Sequence, residues 1–279
     1  MKPRAHGGLP GETLHLAVTS LSTFLLLFLI STITSHTAPP AALLNLEAAA
    51  NKPLGAPTRR EGERQMYVET VTHSPRILVA RNFLTDAESK HLIDAGIEKG
   101  MDVALITPYG TNKLVPSKTR TNTAAWLNYR HDPLIAEVED RVGALTGTLP
   151  EQGENLQILH YKDRTQEFTE HRDYSDPEEG DPVETLANGG NRMCTVVIYL
   201  ESPEQGGETY FTRLGITVKP KRGDAVVFWN LKKNGQVDRS TYHAGLAPLV
   251  GEKWVATKWI HESAYQKEEP AASDREAIE

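Results

Sequence analysis

The fold is indicated by residues 189–229, GGNRMCTVVIYLESPEQGGETYFTRLGITVKPKRGDAVVFW. Short runs of β-branched and aromatic residues alternate here with Gly-Gly and Gly-Asp pairs, which is typical of short strands joined by tight turns. Together with two similar runs outside this stretch, the predicted strands are 156–161, 194–200, 209–211, 216–219, 225–229 and 253–260.

Two helices are predicted before this strand-rich part. Thr85 and Glu88 have the spacing of a capping box, and Gly100 ends the first helix. Asp132-Pro133 begins the second helix, and Gly147 ends it. The apolar positions are Leu92, Ile93 and Ile97 in the first helix, and Leu134, Val138, Val142 and Leu145, facing inward, in the second. Helices followed by many strands predict an α+β fold, an antiparallel β sandwich or barrel buttressed by N-terminal helices.

The composition is that of a globular protein with one or two domains. The chain has 279 residues, of which 39% are hydrophobic and 24% charged. A net charge of −7 provides no overall attraction to nucleic acid, so we expect no nucleic-acid partner. The one cysteine, Cys194, excludes an intrachain disulfide.

An uncharged stretch, LAVTSLSTFLLLFLISTI, occupies residues 16–33. As a helix it would be ~27 Å long, close to the ~30 Å hydrocarbon core of a bilayer. Lys2 and Arg4 precede it, and the first charge after it is Glu47, so the positive-inside rule places the N-terminus in the cytosol. A cleaved signal peptide is the alternative.

These features predict five regions. They are a cytosolic tail (1–13), a transmembrane signal anchor (14–33), an Ala- and Pro-rich stem (34–66), one catalytic domain (67–266) and a polar tail (267–279). The expected location is the endoplasmic reticulum or Golgi membrane, single-pass type II, with the main domain luminal.

Three residues form a candidate metal site. His171 and Asp173 are two apart in a segment predicted to be extended, so their side chains point to the same face. His243 is a candidate third ligand. Two histidines and one carboxylate form the facial triad of non-haem Fe(II) oxygenases, which leaves positions open for a cosubstrate and oxygen. Taken alone, the His-x-Asp pair is a weak signal, and a chance pair of exposed residues that bind nothing is the favoured interpretation.

Lys253 strengthens the interpretation as a metal site. A cation deep in a barrel needs a carboxylate partner to offset its desolvation, and an α-keto dicarboxylic acid that chelates iron at its other end would provide one. The alternative is an exposed turn lysine, but Val255, Thr257 and Trp259 continue the same alternating face of the predicted strand.

Several ordered motifs resemble the prolyl 4-hydroxylase catalytic domain, most closely its short, membrane-anchored plant and algal type. They are His160-Tyr161, His171-Arg172-Asp173-Tyr174, GGNRMCTVVIYL (189–200), GGETYF (206–211), VKPKRGDAVVFW (218–229), HAG (243–245) and GEKWVATKWIHE (251–262). Ser74-Pro75-Arg76-Ile77, Asn82-Phe83-Leu84 and Arg120-Thr121-Asn122-Thr123 extend the resemblance to residues 67–266. It implies a double-stranded β-helix (jelly-roll) core.

The resemblance also implies roles for individual residues. His171, Asp173 and His243 would bind Fe(II). Lys253, assisted by the hydroxyls of Tyr161 and Thr209, would bind 2-oxoglutarate. Arg192, His261 and Trp259 match positions of peptide-substrate binding. From their own context, a surface turn residue and a strand-end histidine are the favoured interpretations of Arg192 and His261, and packing is an equally good account of Trp259. Ascorbate is the expected further cofactor.

The chain departs from the family pattern at Phe168, where a tyrosine that contributes to substrate handling is usual. The loop 176–188, DPEEGDPVETLAN, is long and acidic. In the family such a loop helps to cover the peptide, and its charge here would favour basic substrates.

The resulting prediction is a 2-oxoglutarate- and Fe(II)-dependent peptidyl-prolyl 4-hydroxylase acting on proline-rich peptides. Two alternatives stay open: the same chemistry on another residue or a small molecule, and a catalytically silent, membrane-anchored binding subunit. The sequence does not determine the oligomeric state.

Overall fold

The computed structural model describes residues 65–106, 115–116 and 118–267. The helices within them are α1 (Asp86–Lys99) and α2 (Pro133–Thr146), with four short 3-10 helices at Pro150–Gln152, Pro177–Glu179, Val183–Leu186 and Arg239–Thr241. The strands are β1 (Tyr67–His73), β2 (Arg76–Arg81), β3 (Asp102–Val103), β4 (Leu105–Ile106), β5 (Val115–Pro116), β6 (Thr123–Leu127), β7 (Leu156–Tyr161), β8 (Phe168–His171), β9 (Arg192–Glu201), β10 (Gln205–Gly206), β11 (Thr209–Phe211), β12 (Ile216–Val218), β13 (Ala225–Trp229), β14 (His243–Gly245), β15 (Pro248–Val250) and β16 (Lys253–His261).

Two antiparallel sheets form the core. The main sheet has the order β1-β2-β13-β9-β16-β7-β6-β3, and the small sheet has the order β12-β11-β14-β8. The strands β10 and β15, and likewise β4 and β5, form two-stranded ribbons. Mostly antiparallel strands in two sheets, with few helices, confirm the predicted α+β fold with a jelly-roll core.

The main sheet is buried on both faces. In β13, Ala225 and Val227 belong to the apolar cluster that includes the helices, whereas Val226 and Phe228 belong to the cluster that includes the small sheet. All four side chains are 0% exposed. Successive side chains of a strand point to opposite faces, which explains why this strand is apolar without alternation.

Both helices begin and end where the sequence predicts. In α1 the Thr85 hydroxyl accepts a hydrogen bond from the Glu88 backbone amide (3.2 Å), and the Glu88 carboxylate accepts one from the Thr85 amide (2.7 Å). Asp132 caps α2 by accepting from the Ile135 amide (2.8 Å). One apolar position of α1 differs from a simple packing pattern, because Ile97 lies on the solvent side and is 55% exposed.

The capping box gives a stability prediction. We expect Thr85→Ala to lower the free energy of unfolding by about 1 kcal/mol, because it leaves the Glu88 amide without its partner. Thr70→Ala, at an exposed position of β1, is the control and should change it by less than about 0.5 kcal/mol. Urea unfolding of the two variants measures the difference, and equal losses would contradict the capping assignment.

The helices-first order predicted from the sequence is wrong in part. Strands β1 and β2 precede α1, and β2 pairs with β13, with Ile77 opposite Phe228. The edge strand β1 is largely exposed, so it lacks the apolar pattern that would reveal it. The N-terminal part of the domain therefore contributes to the main sheet as well as to its helical cover.

The predicted cytosolic tail, the signal anchor at 14–33, nearly all of the stem and nearly all of the polar tail lie outside the described residues. In the part of the chain that the structure describes, neither helix has the length and apolar character needed to span a bilayer.

Candidate active site and metal centre

A cleft lies between the two sheets. It is lined by Arg120, Leu159, Tyr161, Phe168, His171, Asp173, Val197, Thr209, His243, Gly245, Lys253, Val255, Thr257 and Trp259. All three predicted metal ligands and the predicted 2-oxoglutarate-binding residues therefore face one space. Val255, Thr257 and Trp259 line it as the alternation in the sequence predicts.

The small sheet brings the triad together. His171 ends β8 and is paired directly with His243, the first residue of β14. Asp173 lies two residues beyond the end of β8, with Oδ1 3.6 Å from His171 Nε2 and Oδ2 3.7 Å from His243 Nε2. One candidate ligand atom from each residue lies within 4.8 Å of the others. This spacing suits a single metal ion bound by all three.

The hydrogen bonds of the two histidines leave Nε2 of each ring available to bind a metal ion. His171 Nδ1 lies 2.8 Å from the Thr169 carbonyl oxygen, and His243 Nδ1 lies 3.0 Å from that of Thr241. A carbonyl only accepts, so each Nδ1 carries the proton and each Nε2 has its lone pair free for coordination.

Asp173 is held by a buried chain of donors that the sequence did not reveal. Its Oδ2 accepts from the Thr195 hydroxyl (2.8 Å), and that hydroxyl accepts from the Asn230 side-chain amide (3.0 Å). Thr195 and Asn230 are both 0% exposed. Thr195 lies on β9, and Asn230 directly follows the neighbouring strand β13. The two residues are far apart in the sequence, so no local motif marks them.

The protonation states also fit a metal. Burial, together with the nearby His243, lowers the pKa of His171 to about 3, so this imidazole is neutral at neutral pH. Burial alone would raise the pKa of Asp173, but His243, His171 and Arg192 outweigh it and the pKa is lowered. A neutral imidazole and an ionised carboxylate are the forms that coordinate a cation.

Phe168 lies against the triad. Its ring stacks on that of His171, with 3.4 Å between ring centroids and 9° between planes, and the guanidinium carbon of Arg120 lies 4.9 Å from its centroid. The sequence assigned no role to Arg120, which is buried and donates to the Gln157 side chain (2.5 Å). The aromatic ring at position 168 therefore packs a ligand in place without offering a hydroxyl.

Lys253 is a buried lysine that lines the same cleft. It is 2% exposed, and none of the carboxylates in the described ranges forms an ion pair with it. Burial lowers its pKa to about 7, only partly opposed by Glu208. A methyl group added at Gly245, two residues after His243, would lie 3.5 Å from both Lys253 Nζ and the Tyr161 hydroxyl. Gly245 therefore lies directly beside Lys253 and Tyr161, where a larger side chain would fill the space next to the ammonium group.

Two hydroxyl groups accompany Lys253. Tyr161 is buried in the cleft, and burial raises its pKa to about 12, so it is a donor at neutral pH. Thr209 lies 2.8 Å from the hydroxyl of Tyr199, which itself donates to the Gly207 carbonyl oxygen (3.1 Å). Tyr199 was not predicted as part of the site, and it positions the Thr209 hydroxyl.

The three predicted peptide-binding residues form one group around Glu154. Arg192 Nε lies 2.5 Å from Glu154 Oε1, and His261 Nε2 lies 2.9 Å from the same oxygen. The second ring nitrogen of His261 lies 2.9 Å from the Gly190 carbonyl oxygen. The Arg192 guanidinium carbon lies 4.4 Å from the ring centroid of Trp259, which in turn lies 5.8 Å from that of Trp126.

Glu154 was missed because it is a lone acidic residue after a turn, with no motif around it. Burial alone would raise its pKa, but Arg192 and His261 lower it, so it carries a charge between them. Arg192 is one-third exposed, whereas His261 is buried with both ring nitrogens engaged.

The sequence is similar to a known enzyme superfamily and to several plant proteins. The sequence profile of the 2OG-Fe(II) oxygenase superfamily matches residues 156–261, which include the triad and Lys253. Probable prolyl 4-hydroxylase 10 of Arabidopsis thaliana is 32% identical over 278 residues, covering 91% of this chain and 94% of the relative. Prolyl 4-hydroxylase 1 of the same plant is 36% identical over 211 residues, covering 70% and 72%.

A solved structure agrees with these relatives. The viral collagen prolyl hydroxylase from Paramecium Bursaria Chlorella virus-1, in its 2OG complex, is 27% identical with a TM-score of 0.52. The match covers 66% of this chain and 94% of that chain.

Proposed function

The chain belongs to the prolyl 4-hydroxylase family of 2OG-Fe(II) oxygenases, and on this basis we propose that it hydroxylates C4 of proline in proline-rich peptides. The observation that carries the proposal is one cleft that holds a His-Asp-His triad and, among the described residues, a buried lysine without an anionic partner. That combination suits a metal ion and a dicarboxylic acid bound side by side.

His171, Asp173 and His243 would hold Fe(II), and Lys253 would pair with the distal carboxylate of 2-oxoglutarate. Bound together, Fe(II) and 2-oxoglutarate supply the oxidising chemistry, in which O2 is divided between succinate and the hydroxylated product and CO2 is released. Tyr161 would donate a hydrogen bond to the same carboxylate, and Thr209, whose own proton goes to the Tyr199 hydroxyl, would line the cleft beside it. The apolar wall of Leu159, Val197 and Val255 excludes water from the reacting centre.

The peptide would lie across Arg192 and Trp259. Proline-rich segments are already extended as polyproline II, so they bind an aromatic-lined groove with little ordering cost. His261 has no free ring nitrogen, so we assign it a positioning role: through Glu154 it orients the guanidinium of Arg192.

The pKa of Lys253 gives a pH prediction. Binding of the dianion needs the ammonium form, whereas the free site, with a pKa of about 7, loses its proton as the pH rises. We therefore expect the dissociation constant of 2-oxoglutarate to increase about tenfold per pH unit above this pKa. Equilibrium binding to anaerobic Fe(II)-loaded protein, measured from slightly acidic to mildly alkaline pH, tests this. A Lys253→Met variant should show weak binding without this pH dependence, and a pH-dependent variant would contradict the assignment.

The substrate is tested by turnover of a peptide panel. Protein supplied with Fe(II), 2-oxoglutarate and ascorbate is incubated with proline-rich peptides and with matched peptides in which alanine replaces proline. Mass spectrometry should find one added oxygen atom only in the proline peptides, with fragmentation placing it on proline. Oxygen added equally to both sets would favour the same chemistry on another residue, and decarboxylation stimulated only by small molecules would favour a free substrate.

A catalytically silent binding subunit is separated from an oxygenase by metal analysis. Purified protein should bind one Fe(II) per chain, and a variant in which alanine replaces His171, Asp173 or His243 should lose it. A silent subunit has no reason to retain the metal, so wild-type protein without iron-binding capacity would favour that alternative.

Location and anchoring are proposed from the sequence alone. We place the chain in the endoplasmic reticulum or Golgi membrane as a single-pass type II protein, because the basic residues precede the apolar run at 16–33. Protease treatment of intact microsomes should leave residues 67–266 protected until detergent is added. Ascorbate is proposed, from the family resemblance, to sustain activity over many turnovers.

A further inference from the structure

The residue between the first two metal ligands is a buried arginine. The Arg172 side chain is 6% exposed and donates to three groups: Glu179 Oε2 at 2.8 Å, the Tyr242 hydroxyl at 3.0 Å and Asp181 Oδ2 at 2.7 Å. A buried guanidinium needs such partners to offset its desolvation. Two of them come from the acidic loop, and the third, Tyr242, directly precedes the metal ligand His243.

Part of the acidic loop directs its carboxylates into the protein. Its 3-10 turn, Pro177–Glu179, is flanked by Asp176 and Asp181, which are both buried. Asp181 Oδ2 also accepts from the Asp176 backbone amide (2.7 Å). The charge of this part of the loop is therefore used within the protein, which weakens the expectation that it favours basic peptides.

A second arginine completes the network on the other side. Arg239, four residues before His243, pairs with Asp176 Oδ2 (2.7 Å) and Glu179 Oε1 (3.2 Å). The Tyr242 hydroxyl donates to Glu179 Oε2 (2.7 Å). The loop thus contacts both chain segments that carry metal ligands, through Arg172 on one and through Tyr242 and Arg239 on the other.

We propose that the ion-pair network of Arg172, Glu179, Asp181, Tyr242 and Arg239 is a positioning device for the metal site. It fixes the segment with His171 and Asp173 relative to the segment with His243, beyond what the short pairing of β8 with β14 achieves. The proposal rests on the metal site assigned under the proposed function. Arg172 touches no reacting atom and acts through the two ligands beside it.

The test measures the affinity of the purified full-length chain for Co(II), used alone as a spectroscopic probe. Arg172→Met removes a positive charge beside a cation site, so electrostatics alone would strengthen Co(II) binding. Loss of positioning would weaken it instead, by roughly 10- to 100-fold, as expected for a group that orients metal ligands. A higher Co(II) affinity in Arg172→Met would therefore indicate an electrostatic effect alone, whereas a lower affinity would indicate the loss of ligand positioning.

Two further variants guard against a folding defect. Tyr242→Phe changes no charge and removes only the hydroxyl between Arg172 and Glu179, so it should fold and weaken Co(II) binding by a smaller factor. Arg172→Lys should recover part of the affinity lost in Arg172→Met. All affinities are measured well below the melting temperature of each metal-free variant, so that loss of stability does not enter them.

The control is Arg130→Met, which breaks the solvent-exposed ion pair of Arg130 with Asp140 (2.7 Å) and should leave Co(II) affinity unchanged. Wild-type affinity in folded Arg172→Met or in Tyr242→Phe would overturn the proposal. A wild-type chain that does not bind Co(II) would instead overturn the metal site, and this inference with it.

Discussion

The variant His171→Ala should lose more than about 100-fold of the wild-type rate of 2-oxoglutarate turnover. Removal of a group that merely orients a ligand costs 10- to 100-fold, and here a ligand itself is removed. Only Asp173 and His243 would remain, and two ligands do not form a facial triad. Metal analysis should show the loss of bound Fe(II), and a product assay should show the loss of succinate.

His131→Ala is the matched control. His131 is an exposed histidine before α2, outside the cleft, so its replacement should leave both iron content and turnover unchanged. A His171→Ala variant that retains iron and activity, or equal losses in the two variants, would show that the triad is not the metal site.

The second large effect is expected at Lys253. Replacing one partner of a buried charge pair costs at least about 2 kcal/mol, so Lys253→Met should raise the KM for 2-oxoglutarate roughly 30-fold or more. Fe(II) binding should persist, because the triad is intact. Lys90→Met, which breaks an exposed ion pair with Asp94 on α1, is the control and should leave the KM unchanged.

The same variant has an opposite effect on stability. The folded-state pKa of Lys253 is about 7, below the unfolded value, so the unfolded chain binds more protons between the two values. Burying this lysine therefore costs stability, and the cost grows as the pH falls through that range. Lys253→Met without ligand should melt at the same or a higher temperature than wild type at pH 7.5.

A Lys253→Met variant with a KM for 2-oxoglutarate equal to or lower than that of wild type would remove Lys253 from the 2-oxoglutarate site.

Much of the fold was readable from the sequence because its signals are local. The caps at Thr85 and Asp132 and the glycines after each helix placed both helices correctly, since capping depends on residues three apart. The predicted strands 156–161, 209–211 and 225–229 match the structure residue for residue. Others, such as Arg192–Glu201, extend slightly beyond their predicted ends.

Strands without local patterns were missed. The edge strand β1 is polar and exposed, and β8 and β14 have only four and three residues. They are strands because they pair with partners distant in the chain, as His171 does with His243. Pairing of that kind is set by the tertiary fold and leaves no periodic signal in so short a segment.

In the site, too, residues with a local sequence signal were predicted and residues that depend on distant contacts were missed. His171, Asp173, His243 and Lys253 were predicted from spacing and residue type, and the structure brings all four to one cleft. Glu154, Thr195 and Asn230 were not predicted, because each acts through a hydrogen bond to a residue far away in sequence. The pairing of Asp176, Glu179 and Asp181 with arginines was likewise invisible, since charge composition does not reveal which carboxylates meet an arginine.

The central claim, that this chain transfers oxygen from O2 to proline C4, is tested most directly by turnover under heavy-isotope O2. A proline-rich peptide should acquire one labelled oxygen atom, recovered after hydrolysis as 4-hydroxyproline, with the second labelled atom in succinate. Label in succinate but none in any proline peptide, from protein that binds Fe(II) and 2-oxoglutarate, would contradict it.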